Sequence, residues 1–213
     1  TNATMVDSDG LLKWRPHNLV DDSDDVSGWT AVGLSLDLDT ENDLLGNTTF
    51  DKITIAGTNT RVNISKSLNK LLSGVSNTLE CIVKYVDQQF VYLSQAHGDQ
   101  NKYITAVFDL INETVTSYAG TTGSTVETAE IENLGGGYYR IVLKGIFPVS
   151  PYFTNVSIGF SPTSTTTPSA YGDIRYSSIP SAGSGSCYVG NTRFYRSDLG
   201  GMVNNPETGG SYV

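Results

Sequence analysis

Apolar and polar residues alternate with a period of two along much of this chain. The apolar positions of the two clearest runs are Tyr139, Ile141 and Leu143, and Val156, Ile158 and Phe160. Polar or small residues stand between most of them. Because successive side chains of a strand point to opposite faces, this pattern predicts β-strands with one buried face and one solvated face.

Similar runs, rich in β-branched and aromatic residues and separated by turn residues, continue through most of the sequence. The predicted strands are residues 32–38, 50–56, 62–68, 78–86, 90–95, 103–110, 114–118, 138–147, 155–160 and 187–195. Only residues 66–73 suggest a turn or two of helix. Since no long amphipathic helix separates the strands, we predict an all-β fold, an antiparallel β-sandwich.

Three parts of the 213-residue chain differ in composition. Residues 1–17 are short and mixed, and we expect an extended lead-in segment. Residues 18–195 carry the predicted strands and are expected to form one sandwich domain. Residues 196–213 contain Gly200-Gly201 and Asn205-Pro206 and few apolar side chains, which predicts a tail that leaves the sandwich.

Two segments inside the domain are predicted to connect strands. Residues 161–186 are rich in Ser, Thr, Pro and Gly, but Tyr171, Ile174, Tyr176 and Ile179 interrupt them. This composition predicts a long ordered loop rather than a flexible linker. Gly135-Gly136-Gly137 opens no helix with a Lys and a Ser, so we interpret it as a turn between strands, not a phosphate loop.

The formal net charge is −9, with 22 acidic and 13 basic side chains. This excess of negative charge repels phosphate backbones and argues against a nucleic-acid partner. The acids concentrate in residues 21–25 and 37–43, which we interpret as solvated loops. Residues 37–43 imitate a calcium loop, but Asn42 replaces its glycine and Thr48 its bidentate acid, so we reject that motif. No apolar run approaches the roughly 18 residues of a membrane span.

The chain offers few groups for catalysis. His17 and His97 are expected at the surface, and no known nucleophile, metal or phosphate motif is present. No pair of carboxylates is singled out for glycoside hydrolysis among the acids. Cys81 and Cys187 lie in strand-like runs and are expected to be buried free thiols; a disulfide would require their Cα atoms to be about 4.4–6.8 Å apart.

Glycan binding needs a flat aromatic face for the apolar side of a sugar, with polar groups beside it for the hydroxyls. The chain has 12 tyrosines. Tyr103, Tyr152 and Tyr171 lie in or beside predicted loops and are the candidate platforms. Tyr139 and Trp29 are instead expected in the core.

Several segments resemble a module of bacteriophage structural proteins. Residues 17–29 resemble its opening, in which an Asn-Leu-Leu strand precedes an acidic, Ser-rich turn and a Trp, and residues 3–14 resemble the lead-in of such proteins. Later landmarks follow in matching order and spacing. They are Asp51-Lys52-Ile53, residues 107–110 with Thr114-Val115, residues 134–140, and residues 195–206, which resemble the junction after this module in marine phage virion proteins.

The resemblance covers most of the chain and implies a lectin-like jelly roll, similar to carbohydrate-binding modules, displayed on the surface of a phage particle. It implies a non-enzymatic virion structural protein, a fibre or decoration protein of the head or tail. Its expected partners are other virion subunits, in a homo-oligomer for which a trimer is the default, and a host surface glycan. The alternatives are a carbohydrate-binding module of a secreted bacterial enzyme, or a glycan-depolymerising appendage enzyme.

The resemblance also raises the question of a structural calcium ion. Carbohydrate-binding relatives often hold calcium between an early acidic turn and an acidic pair in the last strand. Asp24 and Asp25 match the first part and are the candidate ligands. Gly190 and Asn191 occupy the last-strand positions, where the sequence departs from the relatives' pattern.

Overall fold

The computed structural model describes residues 4–6, 12–14, 18–20, 25–68, 74–97, 101–146 and 154–197. Most of these residues form β-strands, and none of them forms an α-helix. The strands are β1 (Thr4–Val6), β2 (Leu12–Trp14), β3 (Thr30–Val32), β4 (Leu34–Asn42), β5 (Thr48–Ile55), β6 (Asn63–Leu68), β7 (Ser76–Tyr85), β8 (Phe90–His97), β9 (Tyr103–Asp109), β10 (Thr114–Ala119), β11 (Thr125–Gly135), β12 (Tyr138–Ile146), β13 (Thr154–Phe160) and β14 (Ser186–Arg196).

Two antiparallel sheets of six strands face each other, as the sequence predicted. The first sheet has the order β10-β9-β8-β13-β6-β3, and the second has the order β11-β12-β7-β14-β5-β4. The chain crosses repeatedly from one sheet to the other, which gives a β-sandwich of jelly-roll type. Within the predicted lead-in, β1 and β2 pair as a separate two-stranded sheet. The predicted tail beyond residue 197 lies outside the described residues.

The core lies between the sheets and is built from the alternating positions. Ile141 and Leu143 of β12 meet Val156, Ile158 and Phe160 of β13 in one buried apolar cluster. Each such side chain contributes about 1.5–3 kcal/mol when it leaves water. The predicted inward faces of these two strands are therefore confirmed. Trp29 is buried and Tyr139 packs against the same cluster, as expected.

The loop between β13 and β14 covers the outer face of the first sheet. Ile174 of this loop is fully buried against Tyr92 of β8 and Val107 of β9. The prediction of an ordered loop is confirmed. The expected solvated face is wrong for β8 and β9, because this distant loop packs on the face that alternation alone leaves open.

The turn between β11 and β12 is made by the three consecutive glycines, as predicted. Their φ angles are 83°, 62° and 83°, in the left-handed region that residues other than glycine rarely adopt. Between Val126 and Thr128, β11 also has a register shift against β12.

Three local expectations are wrong. The helical turn expected at residues 66–73 is strand as far as Leu68, and residues 69–73 lie outside the described residues. The acidic run 37–43 is not a loop, because β4 continues through Asn42 before the turn. His97 is only 1% exposed, although it was expected at the surface. The reason is that β8 extends to this residue, and His97 points inward on the same face of the strand as Gln95.

Cys81 and Cys187 are both buried and unbonded, as expected. They lie on the paired strands β7 and β14, but Cys187 stands opposite Tyr85, four positions from Cys81. At about 3.4 Å per residue, that offset is far beyond the reach of a disulfide. In the described part of the chain, no helix is long and apolar enough to span a bilayer.

Candidate functional site

The predicted tyrosine platforms have different environments. Tyr103 is the first residue of β9 and only 8% exposed, so it offers no open ring face. The reason is Gly172, whose backbone lies so close that an added Cβ would stand 3.0 Å from Tyr103 Cγ. Tyr171, the neighbour of Gly172, is 48% exposed and stays a candidate. Tyr152 lies outside the described residues.

An open cleft lies at the other end of the first sheet. It has a volume of about 270 Å³ and forms between the β7–β8 turn and the loop that covers the sheet. We call it the loop cleft. Its lining residues are Ile55, Asp87, Gln88, Gln89, Phe90, Ser161, Pro162, Tyr176 and Ser184. Tyr103 pairs with Ala96, six residues from Phe90 along β8, so the two places are about 20 Å apart.

Hydrogen bonds fix the β7–β8 turn to the ends of the covering loop. Asp87 Oδ1 accepts the backbone N–H of Ser186 at 2.6 Å and the Ser186 hydroxyl at 2.8 Å. Gln88 Nε2 donates to the carbonyl oxygens of Phe90 and Ser161, at 2.9 and 3.2 Å. The floor of the cleft is thus held in place before any ligand arrives.

Tyr176 supplies the aromatic wall of the loop cleft. Its backbone N–H donates to the carbonyl of Thr60 at 2.9 Å, beside the isolated bridge between Arg61 and Arg175. The ring packs against the main core. Burial raises the pKa of Tyr176 to about 12, although a hydrogen bond with Gln88 opposes the shift. The phenol therefore stays protonated near neutral pH and can donate a hydrogen bond.

The chemistry of the loop cleft suits a sugar ring. Tyr176, Phe90 and Pro162 give apolar surface, while Asp87, Gln89 and the serines give hydrogen-bonding groups. A volume of about 270 Å³ is just below the range of roughly 300–1,000 Å³ for drug-sized ligand pockets, so the cleft suits only a small ligand.

Sequence reasoning missed this cleft because its residues come from separate segments. The turn 87–89, Ser161 and Pro162, and the loop residues Tyr176 and Ser184 meet only after the covering loop has packed on the first sheet. The available signal was Tyr176 itself, an aromatic residue in a stretch otherwise rich in Ser, Gly and Pro.

The proposed calcium ligands are only partly described. Asp24 lies outside the described residues. Asp25 Oδ1 accepts the backbone N–H of Ser27 at 2.7 Å, and hydrogen bonds from Ser27 lower the pKa of the Asp25 carboxyl. Among the residues that the structure describes, no three His, Cys, Asp or Glu side chains stand close enough together to hold a metal ion.

No family model matches the chain, and no curated protein matches its sequence. Similar solved structures include the enzymatically active domain of tailspike protein 4 of bacteriophage CBA120, with a TM-score of 0.46 and 14% identity, over 83% of this chain and 21% of that one. Another is a Bacteroides thetaiotaomicron protein described as sugar-binding, with a TM-score of 0.40 and 10% identity, over 86% of this chain and 87% of that one. This chain spans about a fifth of the tailspike chain.

Proposed function

We propose that this chain is a non-enzymatic, lectin-like domain of a virion structural protein, a fibre or decoration subunit of a phage head or tail, and that its loop cleft binds a host surface glycan. The observation that carries the binding proposal is the pairing of aromatic walls with fixed polar groups in a cleft of about 270 Å³. The virion assignment is supported by the resemblance of residues 17–29, 107–115 and 134–140 to phage structural modules.

A preformed cleft favours binding because little entropy is lost when the ligand arrives. A sugar ring stacks its C–H face on an aromatic ring, and its hydroxyls exchange hydrogen bonds with carboxylate and amide groups. Asp87 and Gln88 are already fixed by the Ser186 and Ser161 contacts.

Binding rather than hydrolysis is supported by the acids of the cleft. Glycoside hydrolases use two carboxyl groups on either side of the scissile bond. Among the described lining residues, Asp87 is the single carboxylate, and one of its oxygens is occupied by Ser186. We expect a host polysaccharide to keep its chain length, measured by size-exclusion chromatography, after incubation with the protein. Shortened chains would instead indicate a depolymerising enzyme.

The cleft assignment predicts that blocking the cleft abolishes glycan binding. Ser184 is exposed and lines the cleft, so Ser184→Trp fills the cavity without disturbing the core. Ser178→Trp is the matched control, because Ser178 is exposed on the same loop but does not line the cleft. On a glycan array, Ser184→Trp should lose the signal and Ser178→Trp should keep it.

Tyr176→Phe, which removes one hydroxyl, should weaken glycan binding by about 0.5–1.5 kcal/mol.

Two results would contradict this assignment. A blank array for the native protein would remove the glycan ligand altogether. Loss of binding in Tyr171→Ala, with full binding in Ser184→Trp, would move the site to the exposed tyrosine at the far end of the sheet.

A further inference from the structure

The outer face of the second sheet carries a charged cluster that the loop cleft does not use. Glu80 of β7 is 5% exposed and lies between two arginines from the neighbouring strands. Arg140 Nη2 of β12 is 2.5 Å from Glu80 Oε2, and Arg193 Nη1 of β14 is 3.5 Å from Glu80 Oε1. Two guanidinium groups therefore share a single carboxylate.

A β-bulge in β14 positions one of these arginines. The register against β7 shifts between Gly190 and Arg193, and Asn191 has a φ angle of 54°. The Oδ1 atom of Asn191 accepts a hydrogen bond from Arg193 Nη2 at 2.9 Å. Bulges and left-handed non-glycine residues are often found where a fold re-aims a side chain for function.

The cluster surrounds a small depression of about 50 Å³. Its lining residues are Glu80, Cys81, Ile82, Arg140, Asn191 and Arg193. Two positive charges and one negative charge line it, on a chain whose net charge is −9. Glu132 approaches Arg140 to only 3.6 Å and its side chain is 61% exposed, so solvent screens this second pairing. A further carboxylate would balance the charges of the lining.

We propose that this depression binds the carboxylate of an acidic sugar, a uronic acid unit of a glycan. Guanidinium groups hold carboxylates through paired, charge-assisted hydrogen bonds, and the Asn191 side chain lies beside them. A volume of about 50 Å³ accepts a carboxylate group but not a whole ring, so the sugar lies on the sheet surface above it. This site adds an acidic ligand to the proposed function and shares no lining residue with the loop cleft.

The matched ligands glucuronate and glucose test the proposal. In an NMR titration of the native protein, glucuronate should shift the backbone amides of Ile82, Arg140 and Asn191, and glucose should not. Added salt should weaken the binding, since the contact is between charges. Glucose shifting the same amides to the same extent, or equally tight binding of acetate, would overturn the assignment to an acidic sugar.

Variants of Arg140 complete the test, because its side chain is 40% exposed and Glu80 keeps Arg193 as a partner when Arg140 is replaced. Arg140→Gln should weaken glucuronate binding on the order of tenfold, and Arg140→Lys by less. Arg175→Gln is the control: Arg175 is 54% exposed and pairs with Asp173 on the covering loop. Unchanged affinity in Arg140→Gln would overturn the site. Ser184→Trp should bind glucuronate normally, so failure of the loop cleft and failure of this site are distinguishable.

Discussion

Asp109 shows how a single side chain organises one end of the sandwich. It ends β9 and is 4% exposed. Its carboxylate accepts hydrogen bonds from the backbone N–H groups of Ile111 and Asn112, at 3.1 and 3.0 Å. It also accepts one hydrogen bond from the side-chain amide of Asn112 and one from that of Gln89. Because Gln89 also lines the loop cleft, Asp109 connects the β9–β10 turn to the candidate site.

These contacts determine how Asp109 responds to pH. Burial raises the pKa of the Asp109 carboxyl, but the hydrogen bonds from Asn112, Gln89 and Ile111 outweigh it, and the pKa lies below its usual value of 3.8. A carboxyl with a lowered pKa in the folded state stabilises the protein above the unfolded pKa. That contribution is lost as the pH falls through the folded pKa.

Asp109→Asn should therefore lower the free energy of unfolding at pH 7 by about 1–3 kcal/mol. The difference from the native protein should shrink as the pH falls below about 3.8, measured by urea denaturation at several pH values. Asp37→Asn is the control, because Asp37 is exposed and should change little. A difference that stays constant down to the acid transition would show that the Asp109 charge is unimportant.

At the scale of elements, the covering loop behaves as a packed layer without strand structure. Ile174 of this loop is fully buried, whereas Ile179 of the same loop is 55% exposed. Ile174→Ala should lower the free energy of unfolding by about 2–5 kcal/mol, and Ile179→Ala should change it by less than about 0.5 kcal/mol. Urea denaturation of both variants measures this. Equal effects would mean that the loop does not seal the outer face of the first sheet.

The sequence pattern predicted the sandwich and most of its strands because alternation is a local signal. It failed for β11, an edge strand whose register shift between Val126 and Thr128 breaks the alternation. It also underestimated the burial of β8 and β9, because Tyr92 and Val107 are buried although they face away from the main core. Their cover is Ile174, which comes 82 residues after Tyr92 and 67 residues after Val107. Local periodicity carries no information about such a contact.

The candidate site was less predictable than the fold for the same reason. The position of Tyr103 beside a predicted loop makes it a candidate platform, but Gly172 packs closely against its Cβ and Cγ atoms. Tyr176 was visible as an aromatic residue in the loop, yet its partners Asp87 and Gln88 lie in another turn. Glu80, Arg140 and Arg193 come from three strands that are far apart in sequence, and only the strand order brings them together.

For the whole molecule, the two outer faces differ in what covers them. The covering loop closes much of the first sheet, which leaves the loop cleft at its end. The outer face of the second sheet bears ion pairs, including Lys84 with Glu41 at 2.8 Å and Arg140 with Glu80. Lys84 Nζ also lies 4.7 Å from the centre of the Tyr138 ring. If the two proposed sites bind sugar, ligand contact is expected at the loop cleft and at the Glu80 cluster.

Assembly is the property that separates a virion subunit from an isolated binding module. If the chain is a fibre or decoration subunit as proposed, a closed ring of subunits is expected, with a trimer as the default. Each chain carries a net charge of −9, so the subunits repel one another at low ionic strength. Salt shortens the range of that repulsion from about 30 Å at 0.01 M to about 3 Å at 1 M.

Light scattering on the purified protein should therefore give a mass near three times the 22.9 kDa of one chain, and the trimer fraction should rise with salt. Dilution at fixed salt is the control, because a true assembly dissociates by mass action whereas a compact monomer does not change. A mass of one chain at every salt and protein concentration would contradict the trimer. Together with retained glycan binding, that result would instead indicate a carbohydrate-binding module that acts as a monomer.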